Sequence, residues 1–182
     1  MLMGEKLNGE AFRFCPTCGT KGLFFELNKL FRCAACGFHY YHNVAAAAGA
    51  IIETRGRVLF IVRGAEPSAG MLALPGGFID PGERAEDAIL RECREEIGWE
   101  PDNLEFLVSF PNRYEYGEIL YNTCDFFFIA RSEALNDDAY TLDPHEATGL
   151  VFLHPEDIKP EQLAFDSTRR AMAEYVLKRK IR

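Results

Sequence analysis

The 182 residues, 48% hydrophobic and 26% charged, suffice for one ordinary domain with a small appendage and exclude a disordered chain. A formal net charge of -8 and a pI near 5.1 argue against a general nucleic-acid or membrane-surface binder, which would carry a basic face. They leave a phosphorylated substrate open, because bound divalent cations reverse the local sign of an acidic site.

Met1–Glu10 has no apolar core of signal-peptide length. The longest mainly apolar run, Val44–Ile52, has nine residues and is too short to cross a bilayer. A soluble cytoplasmic protein with no membrane partner is expected. The next unit, Phe14–Tyr41, carries Cys15-Pro-Thr-Cys18 and Cys33-Ala-Ala-Cys36, each followed by glycine. Between the pairs, Leu23–Leu27 and Leu30–Arg32 flank Asn28-Lys29 as a hairpin. Two cysteine knuckles joined by a hairpin read as a zinc ribbon, with Cys15, Cys18, Cys33 and Cys36 as four thiolate ligands. A unit this small draws much of its folding energy from the metal. The ribbon is read as structural or dimer-forming, which makes a homodimer one of the expected states. His39 and His42 are polar or packing residues beyond a completed site. Cys93 and Cys124 sit in apolar-rich segments and read as buried free thiols.

The boundary falls at residue 43, dividing an N-terminal segment with the ribbon (1–43) from a second domain (44–182). Ala45–Glu53 has four alanines, which favour a helix by propensity, but Gly49, the Ile51-Ile52 pair and the following Thr54-Arg55-Gly56-Arg57 favour a strand entering a tight turn. Val58–Val62 returns as a strand, and Met71–Leu74 is a short apolar piece ending at Pro75-Gly76-Gly77. Glu83 or Arg84 to Ile97 is the clearest helix: Ala85, Ala88, Ile89, Cys93 and Ile97 recur at helical steps, and Gly98 stops it. Leu104–Phe110 and Ile119–Ala130 read as strands around an exposed Asn112–Glu118 loop, and Leu150–Leu153 as another strand. A final helix begins at Asp166 or Ser167 and runs to about Lys178, with Met172, Tyr175 and Val176 facing inward.

Chemistry concentrates in Gly77–Trp99. Glu92, Glu95 and Glu96 share one helical face, which the spacing places opposite the apolar stripe. Taken alone, that face would be solvated. Carboxylates so grouped also suit Mg²⁺ or Mn²⁺, which in turn hold phosphates. Arg91 can pair with a neighbouring carboxylate and fix its rotamer. Gly76-Gly77 lets backbone approach the helix and frees a carbonyl as a further oxygen ligand, and Pro81-Gly82 turns the loop back so that Glu83 orients the set.

The pattern Gly77-x5-Glu83-x7-Arg91-Glu92-Cys93-x-Glu95-Glu96-x-Gly98-Trp99 resembles the Nudix box at all seven fixed positions; Cys93 and Trp99 replace the usual bulky aliphatics. At ~6% usage per residue type, chance agreement at one register is on the order of one in 10⁸ to 10⁹. The resemblance implies an α/β (α+β) fold, a mixed β-sheet between helices, preceded here by the ribbon. It implies hydrolysis of a nucleoside diphosphate linked to another group, a small-molecule nucleotide. Glu92, Glu95, Glu96 and the Gly76 carbonyl would hold Mg²⁺ or Mn²⁺, Glu92 is also a candidate general base, and Glu83 and Arg91 orient them. An extra acid outside the box is common in the family; Glu146 is the first choice, with Glu115 and Glu118 as alternatives. A four-cysteine ribbon before the domain is similar to the NADH pyrophosphatases, whose downstream SQPWPFPxS is replaced here by Ser109-Phe110-Pro111-Asn112-Arg113-Tyr114-Glu115-Tyr116-Gly117. Arg113, Tyr114 and Tyr116 could pair with or stack on a substrate, or be exposed loop residues. NADH-like and ADP-ribose-like substrates, nucleotide sensing without turnover and removal of an RNA 5′ cap all remain open. The acidic balance weighs against nucleic acid.

Overall fold

The computed structural model describes residues 11–132, 142 and 146–181. Met1–Glu10 and the Asp143–His145 segment leading to Glu146 lie outside them. The chain divides into two compact units, Met1–Val44 with Arg113–Asn122, and Ala45–Asn112 with Thr123–Arg182.

In the first unit β1 (Leu23–Glu26), β2 (Leu30–Cys33) and β3 (His39–Tyr41) form an antiparallel sheet in that order. Leu27 and Asn28 both take positive φ, the tight turn that matches the twist of a two-stranded hairpin. The third strand, His39–Tyr41, was not expected from so short a polar-aromatic stretch; it forms because Tyr40 and Tyr41 pair with Phe31 and Leu30. Phe31 is buried and packs on Phe12 and Phe25, with ring centroids 4.7 and 4.4 Å away. His42 is buried too, its ring Nε2 3.4 Å from the Leu120 carbonyl, in keeping with a packing role.

The larger sheet is mixed. Its strands are β4 (Ala45–Thr54), β5 (Arg57–Arg63), β6 (Leu72–Ala73), β7 (Gly76–Phe78), β8 (Glu105–Tyr116), β9 (Ile119–Arg131) and β10 (Ala147–Leu153). The order is β10-β5-β4-β9-β8, with β6 added to β5 and β7 to β4. β4 and β9 run parallel, from Ala45↔Thr123 to Glu53↔Arg131. Two helices cover the sheet, α1 (Ala85–Ile97) and α2 (Asp166–Ile181). Alternate residues divide between them. Ala48, Ala50, Ile52, Leu59, Ile61, Phe128 and Ala130 share a core with Ala88, Ile89, Cys93 and Ile97 of α1. Ile51, Val58, Phe60, Phe127 and Ile129 pack with Ala171, Met172 and Tyr175 of α2. A strand buried on both faces explains the unbroken apolar run of β4, and β-sheet context outweighs alanine's helical preference.

Two expectations need correction. Asn112–Tyr116 is strand, not loop: β8 continues to Tyr116, and the turn narrows to Gly117-Glu118. Gly76–Phe78 is strand as well, pairing with Gly49, Ala48 and Ala47 of β4. The start of α2 is tied to β9 by a buried carboxylate: Asp125 accepts hydrogen bonds of 2.6 Å from both the Thr123 and Ser167 hydroxyls. Among the described residues no helix is long and apolar enough to cross a membrane.

Candidate active site and metal centres

The thiols of the first unit converge. Cys15 Sγ lies 3.6 Å from Cys36 Sγ and Cys18 Sγ 3.7 Å from Cys33 Sγ, and all four lie within 4.8 Å of one another. A tetrahedron of sulfurs each about 2.3 Å from zinc has edges of about 3.8 Å, so the set fits one Zn²⁺. The cysteines are free, and the knuckles repeat one geometry: the Gly19 and Gly37 amides donate to the Cys15 and Cys33 carbonyls at 2.9 and 3.0 Å. Both glycines have left-handed φ, which lets each short turn close around its thiols.

In the second unit the site is built on α1. Its first turn carries Glu86 and Asp87, which favour the positive end of the helix dipole, and Gly98 ends it in the left-handed conformation. Arg91 is the hub, and all five of its N–H donors are used. Nε and Nη2 donate to the two Glu83 oxygens at 3.0 Å each, Nη1 to Glu92 at 2.8 Å and Glu95 at 3.1 Å, and Nη2 also to the Phe78 carbonyl at 2.9 Å. Glu83 further accepts from the Asp80 amide at 3.0 Å. The bidentate guanidinium holds the Glu83 carboxyl below the usual range.

Glu92, Glu96 and Glu146 each present a carboxylate oxygen within 4.8 Å of the others. The three glutamates of α1 differ sharply: Glu96 is 5% exposed, the Glu92 side chain 13% and the Glu95 side chain 54%. This corrects the placement of the three glutamates opposite the apolar stripe. At about 100° per residue, Glu96 falls between Ala85 and Cys93, inside the apolar arc, and Glu92 lies beside Ala88. That arithmetic was available from the sequence. Burial pushes the Glu96 carboxyl well up, against the Gly76 amide that donates to it at 2.8 Å. Burial also raises Glu92, with Arg91 opposing. Nearby carboxylates, Glu146 among them, add to both shifts.

The Pro75-Gly76-Gly77 turn brings β7 onto these carboxylates. A Cβ on Gly76 would lie 2.1 Å from the Ala48 carbonyl oxygen, and one on Gly77 2.4 Å from Glu92 Oε1. No other residue fits either position without moving backbone or carboxylate. Of the five carboxylates Glu83, Glu92, Glu95, Glu96 and Glu146, the Arg91 donors reach the first three, and Arg63 acts on Glu96 only through its charge. A hard divalent cation fits this oxygen-rich, charge-deficient set. Glu95 lies outside the three-carboxylate cluster and pairs with Arg91. Gly76 meets the cluster through its amide. Glu115 and Glu118 are exposed in the unit that carries the cysteines, as are Arg113 and Tyr116. The Tyr114 and Tyr116 rings stack, 6.4 Å apart and 11° from parallel. The supports at Phe78 and Asp80 have no counterpart in the sequence reading, since backbone partners leave no signature in side-chain spacing.

Two outcomes follow. Cys33→Ser should lose stoichiometric zinc and cost about 2–5 kcal/mol of stability, read by zinc content and thermal melting; full zinc retention with an unchanged melt would contradict the thiolate site. Because burial lifts Glu96 above its unfolded value, the folded state binds the extra proton, and the associated stability is present below about pH 4.3 and lost as pH rises through the folded value. Zinc-loaded Glu96→Gln without Mg²⁺ should therefore melt above wild type at pH 8, by about 2–4 °C per kcal/mol relieved, with the gap closing toward pH 5. A variant that melts lower at pH 8 would refute the burial strain.

The geometry has close counterparts. The NUDIX domain model matches residues 42–175. A 97-residue stretch is 33% identical to the NAD-capped RNA hydrolase NudC of Pseudomonas aeruginosa, covering 53% of this chain and 34% of that protein. The match therefore spans only about a third of that relative's length. The ADP-ribose pyrophosphatase of Methanocaldococcus jannaschii is 33% identical over 127 residues, 67% of this chain and 75% of that one. The crystal structure of a NUDIX hydrolase from Nitrosomonas europaea superposes with a TM-score of 0.67 at 23% identity over 92% of each chain, a likeness of fold. With three-quarters of its length matched by the family model and the box folded around three convergent carboxylates, this chain belongs to the Nudix family of pyrophosphohydrolases.

Proposed function

We propose that the chain hydrolyses the pyrophosphate bond of a nucleoside diphosphate linked to a second group, of the NADH or ADP-ribose type. The observation that carries this is the convergence of Glu92, Glu96 and Glu146 beside an arginine-clamped Glu83. In this reading Glu92, Glu96 and Glu146 hold Mg²⁺ or Mn²⁺, with Glu95 and the Gly76 carbonyl as further oxygens at its edge. Such an ion, when bound, polarises the phosphate and acidifies water. Zinc at Cys15, Cys18, Cys33 and Cys36 is structural.

The chain's own residues set the geometry. Arg91 fixes the rotamers of Glu83, Glu92 and Glu95 at once, so one residue orders both sides of the site. Water oxygen bonds to one phosphorus as the bridging P–O bond breaks, and its proton passes to a carboxylate. Glu92 is assigned as that acceptor, with Glu95, open to solvent and held by Arg91, as the alternative. In this reading Arg113, Tyr114 and Tyr116 supply a guanidinium and two stacked rings, chemistry that suits a nucleotide base or phosphate. The likeness to the M. jannaschii ADP-ribose pyrophosphatase, which spans most of both chains, supports a free dinucleotide-type substrate. The P. aeruginosa relative supports a second reading, in which the same bond is cut at the NAD-type 5′ end of an RNA.

The test is a panel of ADP-ribose, NADH, NAD and a 5′-NAD-capped oligoribonucleotide with Mg²⁺ or Mn²⁺, with products identified by mass. At least one should yield a nucleoside monophosphate, and Glu92→Gln should lower kcat by about 10²–10⁴-fold with the melt unchanged in direction and cooperativity. No product from any member, or full activity in Glu92→Gln, would overturn the proposal.

A further inference from the structure

We infer that Gly64 and the bulge at Thr148 are a dedicated mount that aims Glu146 at Glu92 and Glu96, and so are positioning residues for the metal site. The inference rests on the reading of Glu146 as a metal ligand. Glu146 is the one member of the cluster not carried by α1, and it sits immediately before β10.

The aim of Glu146 is set by β5. The two strands pair in simple antiparallel register from Leu153↔Val58 to Gly149↔Val62, and the next pair is Ala147↔Arg63. Thr148 is therefore an extra residue with no partner of its own on β5. Its hydroxyl donates to the Val62 carbonyl at 3.4 Å. An inserted residue resets the alternation of side chains before it. Glu146 thereby sits opposite Gly64; with the register unshifted it would face Ala65, and its side chain would be turned away from the cluster.

Gly64 completes the mount. Its amide donates to the Glu146 carbonyl at 2.8 Å. A Cβ built on Gly64 would lie 3.3 Å from both the carbonyl carbon and oxygen of Glu146, which are backbone atoms and cannot swing aside. Gly64 itself is held by the loop base. Arg63 N donates to the Met71 carbonyl and Gly70 N to the Arg63 carbonyl, at 2.9 and 2.8 Å, and Arg63 Nε donates to the Pro67 carbonyl at 2.9 Å. Gly64 is not in the left-handed region, so a side chain there is opposed not by the turn but by the closeness of Glu146, whose backbone would have to give by a few tenths of an ångström.

Mn²⁺ binding to the zinc-loaded protein, measured by calorimetry, tests this with a double-mutant cycle. Glu146→Ala should weaken Mn²⁺ binding by about 10-fold or more, and Gly64→Val by a comparable factor. The double variant should bind no more weakly than Glu146→Ala, because a misplaced mount matters only while its carboxylate exists. Gly64→Ala, which asks for a few tenths of an ångström, should show a smaller loss of the same kind and guards against a misfolded valine variant. Wild-type Mn²⁺ affinity in both Gly64 variants, or a double variant clearly weaker than Glu146→Ala, would overturn the inference; so would wild-type affinity in Glu146→Ala. A protein that shows the full pattern yet hydrolyses no dinucleotide would support the mount and refute the proposed reaction.

Discussion

A carboxylate in the apolar arc of a helix is the constraint on which the site depends. Glu96 is buried within the apolar arc of α1, with the Gly76 amide as its hydrogen-bond donor and like charges from Glu92 and Glu146 near it. A group so placed is costly while ionised and unpaired. The rest of the unit is arranged around that cost. Pro75-Gly76-Gly77 brings an amide to the carboxylate, Arg91 neutralises the outer glutamates, and the remaining deficit of positive charge is what a divalent cation would supply. On the proposed reading, stability is given up in the metal-free protein in exchange for a place to hold the cation.

Arg91 deserves its place in the box for a geometric reason. Its planar fork reaches a loop residue, Glu83, two helix residues, Glu92 and Glu95, and the Phe78 carbonyl of β7 at the same time. Lysine, with three donors at one point, cannot span that set. The sheet provides the matching rigidity. β4 is buried on both faces, so its backbone is a fixed floor against which β7, and through it Gly76 and Gly77, are registered.

Much of this was legible in the chain. The apolar runs of β5 and β9, the helical period of α1, its glycine stop and the two cysteine pairs each have a local pattern with a physical cause, and the structure forms them. The seven fixed positions of the box carried the family, which the domain match over residues 42–175 shows. What was not legible depends on contacts distant in sequence. β7 is three residues with two glycines and has no strand propensity; it is a strand because β4 lies beside it. β8 extends past Asn112 because β9 continues alongside it. Glu146 gains its direction from a bulge against β5. The burial of Glu96 is a different failure: the helical wheel contained it, but grouping the glutamates by their i, i+3 and i+4 spacing obscured where their shared face lay relative to the apolar arc.

The central claim is that Glu92, Glu96 and Glu146 share a divalent cation at the pyrophosphate-cleaving site. The most direct measurement is anomalous diffraction at the manganese edge from crystals of the zinc-loaded protein soaked in Mn²⁺. The account predicts a peak in contact with the carboxylates of all three residues, at about 2.0–2.3 Å from their oxygens. No peak there, or manganese bound only at Glu95 and the exposed acids, would contradict it.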